Sequence, residues 1–171
     1  MNKFDATLAA ENGQAASPQF LIRYAKEREV GALNALCRTS KRHWGYDDAF
    51  MEKAASELTI PSELVRKNQV MVAESKTSVL GVGGIERIGA KSVELSHLFV
   101  HPNSIGYGVG KALFSATAAL ATGLGAQMMT ILSDPNAAGF YENMGATLVG
   151  EELSSSKTGR MLPLFHFSLT G

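Results

Sequence analysis

The chain has 171 residues, of which 45% are hydrophobic, so it can fold as one domain around a substantial core. Lys plus Arg and Asp plus Glu each number 16, and this balance argues against a protein that mainly holds nucleic acid or an anionic membrane. The single cysteine, Cys37, cannot form an internal disulfide, which is typical of a reducing compartment. The sequence has no bilayer-spanning apolar run and no signal-peptide hydrophobic region, so we expect a cytoplasmic protein.

The first half of the chain alternates between strand and helix patterns after an unpatterned start. Residues 1–18 are small and polar, and they predict a flexible N-terminal arm ahead of a single domain over residues 19–171. A strand is predicted over Phe20–Tyr24 and a helix over residues 27–37. A second helix is predicted after a cap at Asp47 or Asp48, and Pro61 ends it. Three strands follow, over residues 69–74, 77–88 and 93–100.

The second half predicts a β-α-β unit followed by two further strands. The predicted elements are a helix over residues 110–120, a strand over Met128–Leu132, a helix over residues 136–143, a strand that begins at Ala146, a loop over residues 154–159 and a strand over residues 160–169. Antiparallel strands therefore come first and a parallel crossover comes later. This order predicts an α+β fold, with a mixed, mostly antiparallel central sheet of about seven strands and helices on both faces.

A glycine-rich turn between a strand and a helix is the most informative feature. The strand ends at Val100, and Gly106, Gly108 and Gly110 alternate directly before a helix-forming run. Glycine lets the backbone approach a ligand, and the first turn of a helix presents unpaired N–H groups at the positive end of its dipole. The pattern favours a phosphate or pyrophosphate site. Its spacing fits neither a dinucleotide-binding turn nor a P-loop, so a tight turn that binds nothing is the alternative on spacing alone.

The same segment resembles the acyl-CoA signature of the GCN5-related N-acetyltransferase (GNAT) superfamily. That signature is a strand ending in V-x-P, followed by R/Q-x-x-G-x-G/A. The stretch from Val100 to Pro102 matches the first part, and the stretch from Gly108 to Gly110 matches the end of the second. Ile105 stands where the family has Arg or Gln, and Lys111 restores some positive charge.

A second motif extends the resemblance. The segment from Asp134 to Gly145 is similar to the family's N-x-x-A-x-x-F-Y-x-x-x-G, although Asp134 stands at the Asn position and Asn136 follows it. Two motifs in the family's order are far more specific than either alone. The resemblance implies the family's fold, in which strands 4 and 5 of the sheet splay apart.

The resemblance also implies acetyl-CoA as co-substrate, with no metal. Backbone groups of the fourth strand would pair with pantetheine, and N–H groups of the glycine turn would hold the pyrophosphate. Asp134 and Asn136 would bond the pantetheine arm, although Asp134 has an alternative role as a turn residue before Pro135. The implied coenzyme-binding residues are Leu98, Phe99, Val100, Ile105, Gly106, Tyr107, Gly108, Val109, Gly110, Lys111, Asp134, Asn136, Phe140 and Tyr141.

Two residues are candidates for the chemistry. Acyl transfer to an amine needs a base for the amine proton and an acid for the leaving thiolate. Glu94 lies at the offset of the catalytic glutamate of the GCN5 histone acetyltransferases, and Tyr141 falls on the family's usual proton donor. The alternatives are a solvated or ion-paired Glu94 and a Tyr141 that only packs. Strand alternation predicts that Glu94, Ser96, Leu98 and Val100 share one face and that His97, a packed or surface residue, lies on the other.

The run from Lys41 to Asp47 joins the first two predicted helices, where the family builds its acceptor site. It contains the single Trp of the chain. Loops concentrate binding residues, but an aromatic residue there can also cap the core, so both interpretations stay open. The candidate acceptor-binding residues are His43, Trp44, Tyr46 and Ser96. This run, together with residues 159–163, resembles uncharacterised bacterial members of the superfamily, which names no substrate.

The sequence therefore predicts an acyl-CoA-dependent N-acetyltransferase that moves acetyl from acetyl-CoA to a primary amine by direct attack in a ternary complex. The acceptor is a small-molecule or peptide amine. No nucleic acid or membrane partner is expected, and a homodimer stays open. Cys37 lies far from both motifs, which argues against an acyl-enzyme. The alternatives are the same fold with another acyl-CoA, such as succinyl-CoA, and a non-catalytic acyl-CoA-binding or regulatory module.

Overall fold

A seven-stranded mixed sheet organises the protein. The structure, a computed structural model, describes residues 19–154 and 159–170. The predicted arm over residues 1–18 and most of the predicted loop over residues 154–159 lie outside the described residues. The sheet order is β1-β2-β3-β4-β5-β7-β6, in which β4 and β5 are parallel and the other neighbours antiparallel. The strands are β1 (Phe20–Tyr24), β2 (Val70–Ser75), β3 (Val79–Arg87), β4 (Ser92–Val100), β5 (Met128–Leu132), β6 (Thr147–Leu153) and β7 (Met161–Ser168).

The described residues form five α-helices beside the sheet. They are α1 (Val30–Arg42), α2 (Asp48–Lys53), α3 (Ser62–Arg66), α4 (Val109–Gly123) and α5 (Ala138–Asn143), with 3₁₀ turns at Glu27–Glu29, Pro102–Ser104 and Pro135–Ala137. The sequence analysis does not predict α3, which begins directly after Pro61 and buries Leu64 and Val65. Helix α1 continues past its predicted end because Ser40 extends the buried stripe of Leu33 and Cys37 by one turn. No helix in the described ranges is long and apolar enough to cross a bilayer.

The helices cover both faces of the sheet, as the sequence predicts. On one face, α1, α2 and α3 pack against Val70, Val72 and Val82. On the other face, β3 presents glycines to α4. A Cβ atom at Gly83 would lie 2.9 Å from Thr117 Cγ2, so the absence of a side chain there lets α4 approach the sheet closely.

A β-bulge interrupts the alternation of β4. Gly84 of β3 pairs with His97, but its neighbour Ile85 pairs with Leu95. One residue of β3 therefore corresponds to two residues of β4, and Ser96 is the extra residue. A bulge of this kind re-aims the side chains that follow it, because the two-residue period restarts at the inserted position.

The bulge overturns the predicted distribution of side chains along β4. Leu98 and Val100 pack in the core beneath α4. Glu94 pairs across the strands with Glu86, which lies on the same face of β3 as Gly84. A Cβ atom at Gly84 would contact His97 and Ser96, so Glu94, Ser96 and His97 lie together on the face opposite Leu98 and Val100. The prediction that Glu94 and Ser96 share a face with Leu98 and Val100 is therefore wrong, and so is the prediction that His97 lies opposite Glu94.

Strands β4 and β5 separate soon after they meet. Their parallel pairing covers only Ser92 to Glu94 on β4 and Met128 to Thr130 on β5. Strand β4 continues to Val100, and beyond Glu94 its edge towards β5 pairs with no strand among the described residues. The predicted splay between strands 4 and 5 is confirmed.

Candidate active site

A cavity of about 600 Å³ opens where β4 and β5 diverge, and both sequence motifs contribute to its wall. Its size is that of an ordinary small-molecule or cofactor site. The predicted site residues that line it are Trp44, Glu94, Ser96, Leu98, Phe99, Val100, Ile105, Gly106, Gly108, Gly110, Lys111, Asp134, Asn136, Phe140 and Tyr141. Segments that are far apart in the sequence therefore form one site.

The glycine turn has the backbone conformation that its sequence predicts. Gly106 and Gly108 have φ values of +87° and +80°, in the left-handed region that favours glycine. A Cβ atom at either position would meet no atom within 4 Å, so conformation and not crowding requires glycine there. Gly110 differs, since its Cβ would lie 3.4 Å from the Phe140 ring. The first turn of α4, a helix of 15 residues, follows directly and presents its N–H groups beside the turn.

Four predicted site residues lie outside the cavity wall. Val109, the first residue of α4, is fully buried, and Tyr107 is 36% exposed. Coenzyme binding by either residue would therefore use its backbone N–H group. His43 contacts Trp44 edge to face, with ring centroids 5.4 Å apart. Tyr46 stacks on a neighbouring ring and turns its hydroxyl towards Asp134.

Tyr141 combines a packed ring with a hydroxyl at the cavity. The residue is 7% exposed, and its ring lies 5.2 Å from Phe140 and 6.1 Å from Phe114, measured between centroids. The hydroxyl has no hydrogen-bond partner within the described part of the chain. Burial, with the negative charge of Asp134, raises the pKa of Tyr141 above its usual value. The hydroxyl is therefore protonated at neutral pH and can act as a donor.

Glu94 is half-buried in the cavity wall and has no ion-pair partner in residues 19–154 and 159–170. The ion-paired alternative from the sequence therefore finds no partner in those residues. Burial raises the pKa of the Glu94 carboxyl, and the negative charges of Glu86 and Glu152 raise it further. A carboxylate with a raised pKa in a cleft is a stronger base than an exposed carboxylate and is a candidate proton acceptor.

Ser96 and His97 form a contact at the bulge. Ser96 Oγ lies 3.0 Å from His97 Nδ1 and 3.2 Å from the carbonyl oxygen of Gly84. His97 is 6% exposed, and burial lowers its pKa, so the ring is neutral at pH 7. Its Nε2 is the one buried side-chain polar atom that lacks a hydrogen bond in the described ranges. His97 is therefore a packed residue, one of the two roles that the sequence analysis gives it.

A buried charge cluster that the sequence analysis does not predict lies beside the cavity. Asp134 accepts hydrogen bonds at Oδ2 from Lys41 Nζ at 2.5 Å and from the Tyr46 hydroxyl at 2.8 Å, and Arg160 Nη2 lies 3.5 Å from the same oxygen. We call Lys41, Tyr46, Asp134 and Arg160 the Asp134 cluster. Lys41 and Arg160 both line the cavity. The cluster joins the end of α1, the end of β5 and the start of β7.

The predicted turn role of Asp134 is confirmed, and the carboxylate does more than that. Its Oδ1 accepts hydrogen bonds from the backbone N–H and the side-chain amide of Asn136, both at 2.9 Å. Burial alone would raise the pKa of Asp134, but hydrogen bonds from Lys41, Asn136 and Tyr46 bring it below its usual value. Both carboxylate oxygens are occupied by protein donors. Binding of pantetheine by this side chain stays a prediction.

One of the missed residues carries a signal in the sequence. Lys41 follows Leu33 by eight residues and Cys37 by four, so it falls on the buried stripe of α1. A charged residue on an apolar stripe predicts a buried partner. Arg160 has no comparable signal, since its position depends on where β7 begins.

A diverging parallel strand pair, an open glycine turn before a helix and a buried tyrosine together define the acyl-CoA-binding fold of an acetyltransferase. Residues 20–158 match the family model for the GNAT acetyltransferase domain, so the chain belongs to that family of N-acetyltransferases. The family assignment made from the two motifs is thereby confirmed. No curated protein matches the sequence.

Solved structures agree with this assignment. A GCN5-related N-acetyltransferase from Rhodopseudomonas palustris is similar with a TM-score of 0.69 at 20% identity, over 91% of this chain and 99% of that chain. PaiA N-acetyltransferase from Thermoplasma acidophilum, in complex with coenzyme A, has a TM-score of 0.72 at 16% identity, over 88% and 99%. YncA from Salmonella typhimurium, with acetyl-CoA, has a TM-score of 0.65 at 20% identity, over 90% and 95%. At these identities the similarities establish the α+β fold.

Proposed function

We propose that the protein transfers acetyl from acetyl-CoA to a primary amine by direct attack in a ternary complex. The observation that carries this proposal is the cavity itself. It gathers the glycine turn, the open edge of β4, Glu94 and Tyr141 around one space. A base, an acid and a coenzyme-sized groove are what an amine acyltransferase requires.

The glycine turn and the β4 edge fit coenzyme A. The positions where Gly106 and Gly108 would carry a Cβ atom are open, so a phosphate can approach the backbone there. The unpaired edge of β4 beyond Glu94 offers N–H and C=O groups to the amides of pantetheine. When bound, acetyl-CoA supplies an acyl group activated as a thioester.

The side chains divide the proton transfers between them. Glu94 accepts the ammonium proton of the acceptor, directly or through a water near Ser96, and this frees the nitrogen lone pair. The nitrogen then bonds to the carbonyl carbon as the carbon–sulfur bond breaks, and it releases a second proton to solvent water as the amide forms. Tyr141 donates its proton to the departing sulfur as negative charge develops there.

The only cysteine supports direct attack over an acyl-enzyme. Cys37 lies in the core with no exposed surface, and burial raises the pKa of its thiol to about 12. The thiolate is the nucleophilic form of cysteine, so this side chain is inert at neutral pH. An unreactive Cys37 supports direct attack of the amine on the thioester.

Two measurements test the proposal. Calorimetric titration with acetyl-CoA should show binding, and a thiol-release assay over a broad panel of primary amines should find turnover with at least one of them. Binding without turnover on any amine would favour a non-catalytic module instead. Faster turnover with succinyl-CoA than with acetyl-CoA would correct the acyl group while keeping the reaction.

A further inference from the structure

The Asp134 cluster carries more positive than negative charge. The side chains of Lys41 and Arg160 are 14% and 16% exposed, and both share the single carboxylate of Asp134, which is 13% exposed. Two cations and one anion leave a net charge of about +1 within the cluster, beside a cavity wall to which Glu57 and Glu94 also contribute carboxylates. An excess charge of this kind is costly unless an anion compensates it.

Arg160 is held in a way that leaves its hydrogen-bonding fork available. Its Nη2 donates to the Tyr46 hydroxyl, and its closest approach to Asp134 is 3.5 Å. The guanidinium lies over the rings of Tyr46 and Phe50, at 5.0 and 5.1 Å from their centroids. The two rings support the guanidinium, and its single approach to Asp134 is not a bidentate pair. A guanidinium held by stacking suits bidentate binding of a carboxylate.

The cation pair and Glu94 line the same cavity with opposite charges. An acceptor that has both an ammonium and a carboxylate would match this distribution. Lys111 also lines the cavity, but it follows the glycine turn, where phosphates are expected. Lys41 and Arg160 come instead from the end of α1 and the start of β7, next to Trp44 in the predicted acceptor region.

We propose that Arg160, supported by Lys41, binds the carboxylate of the acceptor, so that the acceptor is an amino acid or a peptide with a free carboxylate. This inference rests on the proposed function, because it assigns the substrate class of the same cavity. Arg160 is then the residue that determines acceptor specificity. Lys41 donates a hydrogen bond to Asp134 and so helps to orient the cluster. It also adds the second positive charge.

Matched acceptors test the carboxylate directly. Each natural amino acid and its carboxamide are assayed with acetyl-CoA at a pH above the pKa of both amines, so that the two acceptors differ mainly in the charged group. We expect the wild-type kcat/KM to favour the acid over the amide by about 10- to 100-fold, the range of a charge-assisted hydrogen bond. Arg160→Gln should remove most of this preference and leave the KM for acetyl-CoA unchanged. Equal rates for acids and amides in the wild type would overturn the proposal.

The control variant is Arg42→Gln. Arg42 also pairs with a carboxylate, Asp48 at 2.6 Å, but both side chains are exposed and neither lines the cavity. It should keep the acid-over-amide preference. Thermal melting of both variants checks that each is folded. A preference lost equally in Arg42→Gln and Arg160→Gln would show that Arg160 is not the specificity residue.

Two further experiments are needed. The first distinguishes a carboxylate of the acceptor from a carboxylate of the acyl group, and the second distinguishes failure of the proposed function from failure of the carboxylate site. With an amine that lacks a carboxylate, Arg160→Gln should leave the rates of acetyl transfer and of succinyl transfer unchanged, and selective loss of succinyl transfer would reassign the site to the acyl group. Calorimetry at saturating coenzyme A compares N-acetyl amino acids with their amides and needs no turnover. If no amine is acetylated, the proposed function fails, and tighter binding of the acids would still support the carboxylate site. Equal binding of acids and amides would overturn it.

Discussion

Gly108 gives the sharpest test of the coenzyme site, because strain and charge can be separated there. Its φ of +80° lies in a region that costs an L-residue roughly 1–2 kcal/mol, and a Cβ atom would meet nothing within 4 Å. Gly108→Ala should therefore lose about that much stability through conformation alone. Gly108→Glu carries the same strain and adds a carboxylate at the entrance to the glycine turn.

The added charge should decide binding. A carboxylate about 4 Å from one phosphate charge is repelled by about 4 kcal/mol at the effective dielectric of a protein surface. That energy corresponds to about a thousandfold weaker coenzyme A binding, whereas Gly108→Ala should stay within about tenfold of the wild type. The difference between the two variants isolates the electrostatic contribution from the strain.

Isothermal titration with coenzyme A, beside thermal melts of each variant, measures both effects. Gly123→Glu is the matched control, since Gly123 ends the same helix and a Cβ there also meets nothing within 4 Å. It should bind coenzyme A as the wild type does. A folded Gly108→Glu with wild-type affinity would show that the pyrophosphate does not bind at this turn.

Three other variants test the remaining roles. Tyr141→Phe should lower kcat by about 10²–10⁴-fold with little change in the KM for acetyl-CoA, and full activity would refute the acid role. Glu94→Gln should lower kcat at neutral pH, with a loss that shrinks as the pH rises and the amine deprotonates in solution; a pH–rate profile like that of the wild type would place the base elsewhere. Asp134→Asn should cost about 3 kcal/mol of stability by leaving the buried cations of Lys41 and Arg160 unpaired. The folded pKa of Asp134 is lowered, so its contribution to stability is present above pH ~4 and is lost as the pH falls through the folded pKa. The melting temperatures of the wild type and of Asp134→Asn should therefore converge in acid. A difference in melting temperature that stays constant with pH would contradict the ion-pair role.

Local patterns predicted most of the fold. The second helix begins where its cap predicts, since the Asp47 side chain accepts a hydrogen bond from the Phe50 N–H at 2.8 Å. The glycine turn adopts the left-handed conformations that its glycines allow. These features depend on a few adjacent residues, so the sequence contains the information that determines them. The element order also followed from these local patterns, whereas the splay of strands 4 and 5 followed from the family resemblance.

Features that depend on contacts between distant segments could not be predicted in this way. The bulge at Ser96 reflects the register between β3 and β4, which alternation within β4 does not determine. The Asp134 cluster joins Lys41 to a residue 93 positions away. An ion pair of this kind forms only after the sheet brings the end of α1 to the end of β5.

The unpredicted features are also those that organise the site. The bulge turns Leu98 and Val100 into the core beneath α4 while Glu94 stays on the face of α1 to α3, so one strand serves both the fold and the cavity wall. Asp134 stands at the first position of the second motif and anchors α1 and β7 at the same time. The coenzyme motif and the acceptor region thus share one carboxylate. This chain has Asp134 where the family motif begins with Asn, and the aspartate brings a negative charge to the end of β5. That charge is what allows Lys41 and Arg160 to be held together in the wall of the cavity.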